Sequence, residues 1–366
     1  MPTAALSALA GGALWAAAAA EGPHMPELLL ADGVDNSPAP PLPALDIDPE
    51  GITISGISSG ADFVVNLHVA HSSVIRGVGV FAGQAYHCSV TRFPKVWPLS
   101  PTTTPPTLKC SAQDPLLPAG GADSSVPVCV GCPQNSTLEY DHCKQNPEYV
   151  DVDLLVTYAK EQSAIGNIDN VVNIVDHQLY FYRGTHDTCY KTGSEELTLG
   201  FYSRLTLDRG TENHVAYEGS VGSNHAQPTV GWGAPCGGAG DKRYSYIEKC
   251  GYDGAGSVLQ HMYNNSLTPP PSSGGQKPAN LLRFNFSKFW TQGTNPELKS
   301  RNLPKDGSAG TSGIAYAYVP TSCRKGHAEA SGKPCRMHLY HHGCGGPWGS
   351  VFCECRAATF TASNLT

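Results

Sequence analysis

The chemistry most readily read from this chain begins at Gly56-Ile57-Ser58-Ser59-Gly60, which fits the pattern G-x-S-x-G. That spacing suits a serine nucleophile on a tight strand-to-helix turn, where flanking glycines let the backbone pass while the hydroxyl stays exposed. In that setting Ser58 is the nucleophile and Ser59 lends its backbone N–H to an oxyanion hole. A serine at its ordinary pKa is a poor nucleophile, so it needs a base, and the base needs an acid to orient it. The expected chain order is Ser, then Asp or Glu, then His. Asp187 lies 129 residues after Ser58 and follows a strand-like run and a Gly-Thr turn. His225 lies in a glycine-rich polar loop after the next strand-like run. Alternatives stay open at this level: His186 and His177 compete with His225, and Asp187 also fits as a helix cap. A third component is His342-Gly343-Cys344-Gly345, a glycine turn directly after a strand, suited to supply the second oxyanion N–H from Cys344. A turn closed by disulfides is the plainer reading of it.

The elements around these residues follow from periodicity. Ile52-Thr53-Ile54 is a β-branched run leading into the serine motif, and Phe63, Val64, Leu67 and Ala70 recur at helical spacing after it. Gly77 to Ala82 reads as a buried strand with small residues that permit close packing. Strand, glycine turn, helix, strand is the grammar of an α/β sheet. Asp151 to Ala164 reads as a helix, and Gln178–Tyr182, Val215–Tyr217, Ile314–Val319 and Met337–Tyr340 as strands. Residues 98–146 break the pattern and read as an inserted, Cys- and Pro-rich excursion. Residues 37–49 carry five prolines and read as extended linker. The glycine turn at 343 follows Ser58 by 285 residues, whereas such a turn ordinarily precedes the nucleophile. The sheet is therefore expected to be circularly permuted, opening at the nucleophile strand.

Composition narrows the class. Hydrophobic residues make up 40% and charged residues 15%, enough for a sizeable core. Forty glycines and 29 prolines in 366 residues predict a loop-rich chain with few long helices. Twenty-four basic against 31 acidic residues leave a net charge of −7 with no basic run, which argues against nucleic acid as a partner and against a polybasic membrane contact. Ala4 to Ala20 is apolar and uncharged but too short for confident bilayer insertion. It reads as a signal peptide over residues 1–20, without a basic leading segment, with a low-complexity tail as the alternative. Thirteen cysteines and sequons at Asn135, Asn264, Asn285 and Asn364 agree with a secreted, disulfide-bearing glycoprotein.

In their order along the chain, these motifs resemble a known family. GITISGISSGADFVVNLHVAHSSVIRGVGVFAGQAYHC resembles the nucleophile region of secreted poly(3-hydroxybutyrate) depolymerases with a circularly permuted α/β-hydrolase domain. LYFYRGTHDT resembles the family's acid loop and GSNHAQPT its histidine loop. PCGGAGDKRYSYIEKCGYDGAGSVLQHMY resembles the disulfide-pinned segment and helix that follow, and GIAYAYVPTSC with CRMHLYHHGC the strand pair carrying the oxyanion turn. The matches run from about residue 51 to 346. The resemblance implies Ser58 as nucleophile, Asp187 as orienting acid, His225 as base, and the N–H groups of Ser59 and Cys344 as oxyanion hole. It implies a single catalytic domain over 51–366 after a Pro-rich linker at 21–50. It stops after Gly346. Family members continue with a helix, a strand and an aromatic-bearing stretch that residues 347–366 do not resemble, so an incomplete C-terminal part is expected.

Cys236 with Cys250, and Cys323 with Cys335, enclose short loops and are the expected disulfides. The pairing of Cys88, Cys110, Cys129, Cys132, Cys143 and Cys189 is left open. Cys129 and Cys132 with His142 and Cys143 offer a zinc knuckle as the alternative. The expected function is a secreted, monomeric serine ester hydrolase that cleaves poly- or oligo-(3-hydroxyalkanoate) through an acyl-enzyme on Ser58. Its expected partner is a polyester or small ester substrate, with no metal and no cofactor. Competing readings are an esterase of a short-chain or plant-wall ester, and a catalytically inactive binding protein on a hydrolase scaffold.

Overall fold

A computed structural model of the chain describes residues 39–88, 142–145, 147–206, 214–238, 247–267, 278–285, 314–326 and 334–343. In chain order, strand β1 (Ile47–Ile57) leads into helix α1 (Ser59–Ala70) and strand β2 (Gly77–Phe81). A helical turn at His142–Gln145 precedes helix α2 (Val152–Ala164), strand β3 (Gln178–Tyr182), helix α3 (Ser194–Thr206) and strand β4 (Val215–Glu218). Short strands β5 (Gln227–Thr229), β6 (Ala234–Pro235) and β7 (Ile247–Lys249) are followed by helix α4 (Gly254–Met262). Strands β8 (Leu281–Asn285), β9 (Ile314–Tyr318) and β10 (Cys335–His341) complete the described part. These four helices are 9 to 13 residues long, in keeping with the glycine and proline content.

The main sheet has the order β10-β1-β2-β3-β4, and every pair in it is parallel. Both faces are covered, as parallel sheets require. The side chains of Leu179 and Phe181 point to one face, with Val78 and Val80, against Val64, Val65 and Val69 of α1, Leu155 of α2 and Phe201 of α3. Tyr180 and Tyr182 alternate to the other face, where Phe81, Val258 and Met262 form a second core under α4. The small residues of β2 are needed there: a Cβ on Gly77 would sit 2.6 Å from the Met262 sulfur, and one on Gly79 would meet Val258.

The arrangement is a circularly permuted α/β sheet. The last strand, β10, lies beside the first, β1, in the register Gly56–His341, and both run in the same direction. Three features differ from the sequence expectation. Strand β1 starts at Ile47, inside the expected linker, because Cys335 donates its N–H to the Asp46 carbonyl and Ile47 pairs with Cys335. Strand β9 does not join β10; it pairs antiparallel with β8, a strand the periodicity did not show, in a separate two-stranded sheet. The histidine loop carries its own three-stranded sheet, β5-β7-β6.

Disulfides join Cys236 to Cys250, Cys323 to Cys335 and Cys88 to Cys143. With its sulfur in that last bond, Cys143 is not a zinc ligand, which removes it from the knuckle alternative; Cys129 and Cys132 lie outside the described residues. So do residues 1–38, most of the 98–146 excursion, Cys110, Cys344, Asn135 and residues 344–366 with Asn364. No helix among the described residues is long and apolar enough to cross a membrane.

Candidate active site

Ser58 sits between β1 and α1 with φ 58° and ψ −128°. A non-glycine residue in that region costs on the order of 1–3 kcal/mol and persists only where its surroundings over-determine it. Here they do. The Ser58 N–H donates to the Phe81 carbonyl at 3.0 Å, and its carbonyl accepts from the Asp62 N–H at 2.9 Å. Gly56 and Gly60 close the turn on each other, since a Cβ on Gly56 would lie 2.5 Å from the Gly60 oxygen. Gly343, which follows β10, packs on the same turn: a Cβ there would lie 2.8 Å from the Ser58 Cβ and 3.4 Å from its Oγ. The glycine turn and the serine turn are thus neighbours, although Cys344 itself lies outside the described residues. Ser59 opens α1, and its hydroxyl is buried with no hydrogen bond among the described residues.

Asp187 and His225 meet. The His225 Nδ1–H donates to Asp187 Oδ2 at 2.8 Å. The other oxygen, Oδ1, accepts from the backbone N–H groups of Cys189 and Tyr190, each at 2.8 Å. This network puts the histidine proton on Nδ1 and leaves the Nε2 lone pair to act as a base. The competing histidines are elsewhere. His177 precedes β3, whereas Ser58 is level with the far ends of β2 and β3, about 15 Å away at 3.3 Å per residue. His186 is exposed, and its N–H donates to the Ser223 carbonyl.

The histidine loop is held by a buried carboxylate. Glu248 is 4% exposed and accepts from Asn224 N–H (3.1 Å), Asn224 Nδ2 (3.0 Å) and Gly237 N–H (2.9 Å). The Tyr182 hydroxyl is 2.6 Å from Ser223 Oγ, fixing the loop to β3. Glu248 lies between the cysteines of the Cys236–Cys250 bridge, so the disulfide and the carboxylate secure the same corner.

Three groups near the serine turn are shifted toward their uncharged forms. Desolvation, then the neighbouring His342, brings His341 down to about 4, and desolvation lowers His342 as well. Burial pushes the Glu195 carboxyl well above the usual carboxylate range; its Oε2 accepts the Gly83 N–H at 3.1 Å. Among the described residues, two groups of side chains have metal-ligand types close together: Asp187, Cys189 and His225, and Cys236, Glu248 and Cys250. In the first, the acid and histidine bond to each other; in the second, both sulfurs are in a disulfide.

The residues that reasoning from sequence overlooked are Asp62, Tyr190 and Glu248. Their signals were positional: Asp62 is four residues after Ser58, Tyr190 three after Asp187, and Glu248 two before Cys250.

A parallel sheet that opens on a strand ending in a strained serine turn, with its last strand beside the first, defines a circularly permuted α/β-hydrolase fold. No family model matches the chain. It is 27% identical over 310 residues to the poly(3-hydroxybutyrate) depolymerase of Delftia acidovorans, covering 83% of this chain and 47% of that protein. It is 26% identical over 333 residues to the polyhydroxybutyrate depolymerase of Talaromyces funiculosus, covering 88% of this chain and 73% of that one. The chain therefore spans less than half the length of the first relative. Among solved structures it is similar to a PHB depolymerase from Penicillium funiculosum (TM-score 0.57, 24% identity) and to a PHB depolymerase complexed with an R3HB trimer (TM-score 0.56, 23% identity). Each of those similarities covers 83% of this chain and 72% of the other. The chain is thus similar in sequence to poly(3-hydroxybutyrate) depolymerases and shares their fold.

Proposed function

We propose that the protein is a serine ester hydrolase acting on poly- or oligo-(3-hydroxyalkanoate) esters, with Ser58 as nucleophile, His225 as base and Asp187 as orienting acid. The observation that carries this reading is the hydrogen bond from His225 Nδ1 to Asp187 Oδ2. It commits the imidazole to one tautomer, for which a purely structural loop has no need. His225 Nε2 takes the Ser58 proton as Oγ attacks the ester carbonyl. The resulting oxyanion is held by the N–H groups of Ser59 and Cys344, each worth about 3 kcal/mol in hydrolases of this kind. The packing of Gly343 on Ser58 supports that assignment. His225 then gives its proton to the leaving alcohol, which departs as an acyl-enzyme forms. Water, activated by the same histidine, attacks the acyl-enzyme; the serine proton is restored and a hydroxy acid is released. None of these steps calls for a metal or cofactor.

The substrate class rests on the relatives, which are named as depolymerases of hydroxybutyrate polymers, and on one structural neighbour complexed with an R3HB trimer. The three disulfides among the described residues support an oxidising, extracytoplasmic location, and the exposed sequon at Asn264 is open to glycosylation there. A monomer is the expected state.

Intact mass after treatment with a serine-directed fluorophosphonate, beside Ser58→Ala, tests the mechanism. One adduct on the unaltered chain and none on the variant is expected. Absence of any adduct on a folded, monodisperse protein would favour an inactive binding protein. Rates on a 3-hydroxybutyrate oligomer against a simple acyl ester then decide the substrate class, with a faster rate expected on the oligomer.

A further inference from the structure

We propose that Tyr190 is a positioning residue that sets the plane of the His225 imidazole and ties it to the serine turn; this rests on the hydrolase reading above. A single hydrogen bond at Nδ1 fixes one point of an imidazole, not its plane, so a base that must aim Nε2 at a hydroxyl needs a second constraint. Tyr190 supplies it. Its ring lies parallel to His225, with interplanar angle 4° and centroids 5.2 Å apart. Its hydroxyl donates to Asp62 Oδ2 at 2.8 Å, on the first turn of α1. Asp62 is itself fixed at both ends: Oδ1 accepts the Gln84 N–H at 2.9 Å, and its own N–H donates to the Ser58 carbonyl.

The Tyr190 backbone is held as firmly. Its N–H donates to Asp187 Oδ1, and its carbonyl accepts from Arg183 Nε at 2.8 Å. The residue is 3% exposed, so the ring has little room to swing. One residue, through its ring, its hydroxyl and its backbone N–H, therefore touches the segments that carry the proposed base, nucleophile and acid, which lie 129 and 38 residues apart along the chain. Neither packing of the core nor closure of the loop asks for a tyrosine hydroxyl aimed at the helix that starts at Ser59. Small displacements of a reacting group cost catalysis steeply, roughly 100-fold for 1 Å. A planar support behind the base guards against that kind of drift.

Two variants separate the roles. Tyr190→Phe keeps the stacked ring and deletes the hydroxyl; Tyr190→Leu keeps apolar bulk and deletes the ring. Ester hydrolysis is measured with KM and kcat resolved, alongside thermal midpoints and the downfield proton resonance of the His225–Asp187 bond. Tyr190→Leu is expected to lower kcat by about 10- to 100-fold with KM within about twofold. It should also broaden or abolish the resonance. Tyr190→Phe should keep the resonance and lose no more than about fivefold in kcat. Leucine that leaves kcat and the resonance as in the unaltered protein overturns the proposal. So does a loss in both variants that only tracks the fall in folded fraction. The resonance is read in the resting protein, so it decides the positioning role even if the unaltered chain takes no fluorophosphonate label and the esterase reading fails.

Discussion

The backbone of Gly60, the second residue of α1, lies against the carbonyl oxygen of His341, the last residue of β10. That contact joins the two ends of the permuted sheet at the serine turn, and nothing larger than a hydrogen fits between them. A Cβ at this position would fall on the His341 and His342 oxygens, which are backbone and cannot swing aside. Gly60→Ala should therefore push β10 away from the turn, costing about 1–3 kcal/mol as overpacking does. Ester hydrolysis should fall more than the folded fraction. The control is Gly231→Ala, where a Cβ meets nothing within 4 Å, and its stability should change by no more than about 0.5 kcal/mol. Urea midpoints and initial rates of the two variants make the comparison; equal behaviour would show that the close approach has no consequence.

The carboxylate of Glu248 accepts three N–H groups, two from Asn224 and one from Gly237. Glu248→Gln keeps the shape but turns one acceptor into a donor facing the Asn224 amide. Hydrogen bonds to a charged group are worth about 1.5–3 kcal/mol each, so a loss of that order in stability is expected. Because Asn224 directly precedes His225, kcat should drop further than stability alone dictates. Parallel denaturation curves and turnover on one preparation test this. A variant with reduced stability but native turnover per folded molecule would assign Glu248 to the fold and not to the histidine loop.

His68 and His177 share a hydrogen bond in the core, Nε2 to Nδ1 at 2.9 Å, and the Tyr202 hydroxyl is 3.0 Å from His68 Nδ1. Burial, then His177, holds His68 well below its usual pKa, and burial brings His177 down to about 4. Unfolded histidine titrates near 6.5, so between about 4 and 6.5 the unfolded chain binds more protons than the folded one. The stability from this pair is thus complete above 6.5 and is lost as the pH falls toward 4. Urea midpoints should be level above neutrality and decline across that window, and His177→Gln should make the decline shallower. A variant whose curve runs parallel to that of the unaltered protein would remove the pair as the cause.

Much of the site's local architecture was legible because its signals are short in range. A β-branched run, two glycines around a serine and apolar residues at helical spacing describe one strand, one turn and one helix, and β1, Ser58 and α1 follow them. The pairs Cys236–Cys250 and Cys323–Cys335 were legible for the same reason, being 14 and 12 residues apart. Periodicity reports which face of an element is buried, not which element buries it. It therefore left His177, His186 and His225 as alternatives, and only the fold brings Asp187 Oδ2 to His225 Nδ1 while His177 goes to the opposite end of β3. Nor does periodicity report strand partners: the pairing of β9 with β10 came from the family resemblance, whereas backbone edges pair β9 with β8. Tyr190, Asp62 and Glu248 carry no pattern of their own. Their hydrogen bonds exist because strands and helices distant in sequence cross at particular angles, and that crossing is set by the packing of the whole sheet between its two layers.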